Sequence, residues 1–413
     1  MRFSKLFSKT TRNISKEVES KNHEFLVRAG YVDQLMSGVY TYLPLGLKVL
    51  SKIENIIREE MSEIGGEELL LPALHPAGNW KKTGRWETVD DLYRFKSYYT
   101  KTDLALVGTH EEAIVPVAKK FILSYKDLPK YVFQIQTKFR DEKRAKSGIL
   151  RGREFRMKDL YSFHTDEKDL DRYYEIAIKA YKKVFERLGI GDITYLTFAS
   201  GGTFSKFSHE FQTKSPVGED TIYLCEKCKV AINREIIKEQ SVCPECGSDK
   251  LKEMKAIETG NIFKLGTKFS ESFNLKYLDK SGKENLAVMG CFGIGSSRAM
   301  GTIVEVLSDV KGIVWPKEVA PYDVHLVNLG KDKEVEKLYN DLQKEGIQVL
   351  WDDREESAGT KLAYADLLGI PIRVVISDKS LKAGGYEFKL RNQEKTEILD
   401  ENKLIKKIKE YYV

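Results

Sequence analysis

Nine cationic side chains and three carboxylates fall between Lys138 and Lys158, a dense positive cluster. On extended chain, Arg140 shares a face with Glu142 and Arg151 shares one with Phe155. Two guanidinium groups and an aromatic ring would then converge on one cavity. Guanidinium forks grip phosphate oxygens bidentately, and a ring beside them offers a surface on which a base can stack. The plain alternative is a solvated basic hairpin. Downstream, Gly290-Cys291-Phe292-Gly293-Ile294-Gly295-Ser296-Ser297-Arg298 reads as a glycine-rich turn from a strand into a helix. Arg298 then lies in the first helical turn, where a helix N-terminus and a cation can both meet a phosphate tail. The run lacks the Lys-Ser/Thr of a P-loop and the downstream acid of a dinucleotide fold.

The cysteines form a second constellation. Cys225-x-x-Cys228 and Cys243-x-x-Cys246 are separated by fourteen residues, the spacing of a four-thiolate ribbon that holds structural Zn2+ tetrahedrally. A metal would fold a segment too small for a core of its own. A redox site needs one C-x-x-C rather than two. Cys291 is left as a packed thiol beside the glycine turn.

Periodicity indicates the elements that hold these residues. Apolar positions from Leu47 through Leu50, Ile53, Ile57, Met61 and Ile64 predict an amphipathic helix ended by Gly65-Gly66, then a short buried strand Glu68–Pro72. Period-two alternation from Tyr131 to Glu142, a basic loop, and an extended stretch from Arg151 to Tyr161 predict a long antiparallel hairpin. Asp169 to Leu188 predicts a helix, with Tyr173, Ile176, Ala180, Val184 and Leu188 at helical spacing. From Tyr322 the order becomes strand, helix, strand, helix, strand: a small, largely parallel α/β domain.

The bulk properties fit a multi-domain globular protein. A chain of 413 residues exceeds what one core serves, and 41% hydrophobic with 31% charged residues is a globular composition. A net charge of +6 suits a partner carrying phosphates. No apolar run is long enough to span a bilayer, and the basic start Met1 to Arg12 lacks the apolar segment of a secretory signal. The expectation is a cytoplasmic protein with no membrane association.

Phe139-Arg140-Asp141-Glu142, a variable loop and Arg151-Gly152-Arg153-Glu154-Phe155 resemble motif 2 of the class II aminoacyl-tRNA synthetases. The helix from Leu47 to Ile64 with the stretch to Pro72 resembles motif 1, and Gly293 through Arg298 resembles motif 3. Within that class the wording is similar to the prolyl enzymes of the bacterial type. Arg28-Ala29-Gly30, Gly84-Arg85-Trp86, Thr109-His110-Glu111-Glu112 and Ser208-His209-Glu210-Phe211 carry the likeness, which covers all but the cysteine segment. Threonyl, seryl and histidyl relatives resemble the intervening stretches less. A silent paralogue would have lost motif arginines, and here Arg140, Arg151 and Arg298 all stand. A plain RNA-binding module is the remaining rival.

The resemblance implies an α+β catalytic domain with an antiparallel sheet at 1–223 and 256–316. It adds a zinc-ribbon-like insert at 224–255 and an anticodon-binding α/β domain at 317–413. It implies a proline–tRNA ligase that uses ATP and Mg2+, acts on L-proline and tRNA(Pro), and forms a homodimer through motif 1. Arg140 would hold the α-phosphate and the proline carboxylate; Arg151 and Arg298 would bind the γ-phosphate; Phe155 would stack on adenine and Glu142 would accept from its amino group. Arg140 and Arg298 are thus the catalytic pair. Thr109 and Glu111 would hold the imino nitrogen, and His209 would help close the proline pocket. Of the adjacent acids, Glu111 is chosen over Glu112 as sharing a strand face with Thr109. Glu210 and Glu258 would ligate Mg2+, and Asp352-Asp353-Arg354 would form the anticodon recognition edge. Many bacterial relatives carry a long editing insertion between motifs 2 and 3. This chain has only the cysteine segment there, so cis editing of mischarged alanyl-tRNA is expected to be absent and any correction to come from a separate protein in trans.

Overall fold

The structure, a computed structural model, describes residues 1–11, 20–202, 204 and 206–412. Arg12 and Val413, limits of two of the stretches read above, lie outside them. Two compact units are present: Met36–Val39 with Ile53–Thr302, and Met1–Leu35 with Tyr40–Lys52 and Ile303–Val413.

The first unit is organised by nine strands: β1 (Glu67–Glu68), β2 (Lys130–Phe139), β3 (Glu154–His164), β4 (Thr194–Ser200), β5 (Phe207–Lys214), β6 (Asp220–Cys225), β7 (Val230–Asn233), β8 (Lys252–Gly266) and β9 (Val288–Ile294). They run in the order β5-β4-β7-β6-β8-β9-β3-β2-β1, with β5 also pairing to β8. Pairing is antiparallel throughout except for β7 on β4 and β1 on β2. The predicted hairpin is β2 and β3, in register from Lys130 opposite Phe163 to Phe139 opposite Glu154. The strand expected at Glu68–Pro72 is cut short at β1. The Leu71 N–H leaves the ladder for Gln134 Oε1 at 2.9 Å.

Helix Glu167–Arg187 starts at an Asp166 cap that accepts from the Asp169 N–H. It buries Leu170, Tyr173, Tyr174, Ala177, Tyr181, Val184 and Phe185. Tyr173 stacks on Tyr131 of β2, and Tyr181 meets Phe211 of β5. Ile176, read above as part of the buried stripe, is exposed, because the true stripe passes through Ala177 and Ile178.

The glycine run departs from its expected role. Gly290 and Gly293 lie inside β9, and only Gly295 precedes the helix Ser296–Leu307. A Cβ on Gly290 would sit 2.7 Å from Ser162 Oγ, and one on Gly293 would sit 2.5 Å from Met157 Cε. These glycines let β9 lie close against β3 side chains; they do not make a turn.

In the second unit five strands, β10 (Val324–Asn328), β11 (Val349–Asp352), β12 (Ile372–Ile376), β13 (Tyr386–Leu390) and β14 (Thr396–Leu399), run in the order β11-β10-β12-β13-β14. The first three are parallel and the last two antiparallel. Helices Asp332–Lys344, Ala358–Leu368 and Glu401–Tyr412 complete this predicted α/β region. Among the described residues, no helix is long and apolar enough to cross a membrane.

Candidate active site

Two cavities in the first unit share Arg140, Met157, Glu258, Asn261 and Gly293 as walls. One, of about 260 Å³, is lined by Arg140, Glu142, Arg151, Phe155, Glu219, Asp220, Glu258 and Arg298. The second, of about 360 Å³, is lined by Arg85, Thr109, Lys138, Arg140, Asp159, Phe204, Phe263 and Cys291. Concave sites of this kind, with convergent charged groups, are where small ligands bind.

The first cavity gathers every residue named above for the nucleotide. Arg140 and Arg151 stand just beyond the ends of β2 and β3 rather than on strand faces. The hairpin nevertheless aims both inward. The Arg140 guanidinium lies 5.2 Å from the centroid of the Phe155 ring and 3.9 Å from Asp91. Arg151 donates to Glu142 Oε2 at 2.9 Å and to Glu219 Oε2 at 2.8 Å. Arg298 lies 3.7 Å from Glu258 Oε2, and its buried Nε has no acceptor among the described residues. A buried donor without a partner is costly, which suits a site whose acceptor arrives with the ligand.

Beneath the second cavity is a buried polar network. Thr109 Oγ1 donates to Glu111 Oε2 at 2.5 Å, and Arg85 NH1 lies 3.1 Å from Glu111 and 3.0 Å from Glu112. The strand face that Thr109 and Glu111 were expected to share is absent: Glu111 and Glu112 open a helix, Glu111–Phe121, and both are fully buried against one guanidinium, with Glu111 the acid that Thr109 meets. Thr109 lines the cavity, while Glu111 stands behind it. Burial pushes the Glu112 carboxyl up to about 7 against the pull of Arg85. Lys138 Nζ forms an ion pair with Asp159 Oδ1 at 2.6 Å and donates to His110 Nδ1 at 2.5 Å. Burial, then the Lys138 charge, drives His110 down to about 3, so it is neutral and accepts that bond. Gln134 Nε2 donates to Asp159 Oδ2 at 3.0 Å.

His209 is not brought to either cavity. It lies on β5, with Nδ1 2.9 Å from Tyr174 Oη and its ring edge-on to Phe198. Glu258 lines both cavities. Glu210, on β5, accepts from Gln212 at 2.8 Å and Asn233 at 3.0 Å. Burial, reinforced by the charge of Glu258, pushes Glu210 up to about 8. A carboxyl with a raised folded-state value binds its proton more tightly folded than unfolded. Stability is therefore lost as pH rises from the ordinary glutamate range through about 8. The melting temperature is expected to fall between pH 6 and 9 and to fall less in Glu210→Gln; equal slopes by calorimetry would refute this.

The four sulfurs of Cys225, Cys228, Cys243 and Cys246 lie within 4.8 Å of one another. The Cys225–Cys246 separation is 3.8 Å, and a tetrahedron with 2.3 Å zinc–sulfur bonds has edges of about 3.8 Å. Backbone N–H groups, that of Cys228 first, lower the Cys225 thiol to about 7, toward the thiolate a metal needs. Asp352-Asp353-Arg354 lie at the end of β11. Arg354 pairs with Asp352 at 2.7 Å and covers the Phe3 ring at 3.7 Å; Asp353 accepts from the N–H and Oγ of Ser4 at 2.8 and 2.6 Å.

Local spacing gave no sign of Lys138–Asp159, Arg85 or Glu219, whose partners are distant in sequence. The local signal was the polar face of β2, which Lys138 shares with Gln134 and Gln136.

Comparison with known proteins adds the family. Residues 93–307 match the tRNA synthetase class II core domain (G, H, P, S and T), and residues 323–411 match an anticodon binding domain. The proline–tRNA ligase of Anaplasma phagocytophilum is 38% identical over 429 residues, covering 99% of this chain and 100% of that one. The proline–tRNA ligase of a Sulfurihydrogenibium species is 34% identical over 563 residues, covering 99% of each chain. That alignment is longer than this 413-residue chain, so it includes positions with no counterpart here. Among solved structures, Giardia lamblia prolyl-tRNA synthetase in complex with prolyl-adenylate has a TM-score of 0.79 at 20% identity, covering 96% of this chain and 80% of that one. The likeness to that structure is one of fold.

Proposed function

Since the chain belongs to the prolyl-tRNA synthetase family of class II, we propose that it activates L-proline with ATP and transfers the prolyl group from prolyl-adenylate to the 3′ end of tRNA(Pro). The observation that carries this is one continuous site: three arginines and Phe155 around a cavity that shares Arg140 with a second, acid-backed pocket. ATP fits the first, with adenine on Phe155, its amino group toward Glu142, and Arg151 and Arg298 on the phosphate tail. Proline fits the second. Its cationic nitrogen would meet Thr109, with the Glu111 charge behind the hydroxyl and Phe204 and Phe263 against the ring. Arg140, common to both, would orient the proline carboxylate toward the α-phosphorus and neutralise charge as the two join.

Mg2+ would supply further neutralisation on the β- and γ-phosphates when bound. Glu258, a wall of both cavities, fits this role. Glu210, whose Oε2 accepts from two amides and whose proton is tightly held, fits it less. The decisive measurement is ATP–pyrophosphate exchange by the purified chain, expected with proline and absent without it. Exchange with another amino acid alone would refute the assignment, and absence of all exchange would favour an RNA-binding module.

We assign 1–223 and 256–316 to catalysis, 224–255 to a zinc-binding insert and 317–413 to anticodon binding. One zinc per chain is expected by elemental analysis, and Cys243→Ser should lower zinc content and melting temperature together. A metal-free protein of unchanged stability would refute the insert's role. Homodimerisation by way of motif 1 accords with the exposure of Leu47 and Leu70 within it. No cis editing is proposed, since the insert is small and built around its sulfurs; brisk hydrolysis of alanyl-tRNA(Pro) by this chain alone would overturn that.

A further inference from the structure

Glu219 was not among the residues the sequence singled out, yet it lines the first cavity and pairs with Arg151, the cation proposed to meet the phosphate tail. It follows Gly218 in the turn between β5 and β6. A Cβ on Gly218 would lie 2.2 Å from the backbone oxygen of Ala256, so that turn is seated directly on β8. From this fixed platform the Glu219 carboxylate reaches Arg151 at 2.8 Å and Lys146 at 3.4 Å. Lys146 and Arg151 also form a backbone bridge that closes the tip, 147–150, of the 141–150 loop. One carboxylate from the far wall thus holds both sides of that bridge through their cations.

Nucleotide binding changes this balance. The cavity holds Arg140, Arg151 and Arg298 against Glu142, Glu219, Asp220 and Glu258. A triphosphate offers Arg151 more oxygens and more charge than one carboxylate does, and a guanidinium cannot keep both partners in full bidentate geometry.

Resting on the synthetase reading, we infer that Glu219 is a positioning residue that holds Arg151 and the 141–150 loop in place in the empty enzyme and yields Arg151 to the polyphosphate. The pair is partly exposed, so the exchange is a modest competition. Its removal should tighten nucleotide binding by roughly three- to tenfold. The loop, freed from its anchor, should also become easier to cleave.

The test is calorimetric titration of the full chain with the β,γ-imido analogue of ATP at fixed magnesium and salt, alongside limited trypsin digestion. Glu219→Gln is expected to bind the analogue three- to tenfold more tightly than the unaltered protein, with proline affinity unchanged. In the empty state it should be cut sooner after Lys143, Arg144 or Lys146, and the analogue should erase that difference. Glu219→Asp, which keeps the charge but shortens its reach, should fall between the two and serves if the glutamine variant does not fold. Unchanged or weaker binding overturns the inference; weakening that extra magnesium restores would make Glu219 a metal ligand instead. Asp220→Asn removes a carboxylate from the same cavity without freeing Arg151, and equal tightening there would reduce the effect to the general field and overturn the inference. If the unaltered protein bound no analogue at all, the synthetase reading itself would fall.

Discussion

Replacing Arg140 by alanine is expected to lower kcat/KM for proline-dependent pyrophosphate exchange by about a thousandfold, with the thermal unfolding midpoint little changed. Arg140 is the residue common to the walls of both cavities that carries a cation. In the proposed arrangement it touches the phosphate of one substrate and the carboxylate of the other while charge passes between them. Its side chain is partly exposed beside Asp91, so truncation leaves no deeply buried charge unpaired. The loss should appear mainly in kcat, because an interaction strongest in the transition state lowers the barrier more than it lowers binding. Arg140→Lys keeps the charge but not the fork, and should recover a small part of the rate. A loss under tenfold, or one confined to KM, would show that Arg140 only binds.

Those arginines were legible because each stands at a motif boundary and the hairpin register converts spacing into direction. Arg140, Glu142, Arg151 and Phe155 lie within sixteen positions, and two paired strands suffice to bring them together. What was illegible needed tertiary structure. Glu219 is 68 positions from Arg151, and Arg85 is 26 and 27 positions from the acids it neutralises. The glycine run shows the converse error. Gly290 and Gly293 suggest a turn only while Ser162 and Met157, which crowd them, are out of view. Asp353 and Arg354 looked like free recognition groups, yet Ser4 and Phe3 engage them from near the start of the chain. Any base read at that edge must share it with these contacts. The clustering of the four cysteines was fully legible, since its geometry is carried by local knuckles and one loop length.

The largest effect on stability is expected at Lys138, in the wall of the second cavity, where proline is proposed to bind. Lys138 and Asp159 are buried and 2.6 Å apart. Burial alone would raise the Asp159 carboxyl, but the Lys138 charge holds it below its ordinary value, so it is ionised. Lys138→Met keeps the volume and removes that charge, which leaves a carboxylate with the Gln134 amide and a neutral imidazole. Breaking such a pair from one side costs about 3–5 kcal/mol, because the desolvation of the remaining ion is no longer offset. Chemical denaturation should therefore show a large loss, and proline affinity should fall with it, since both residues line the pocket. The double variant Lys138→Met with Asp159→Asn removes both charges and should regain most of the stability without regaining proline binding. That split separates a structural ion pair from one that also shapes the pocket. If the double variant is as unstable as the single one, the loss comes from packing; if it binds proline normally, the pair has no part in recognition.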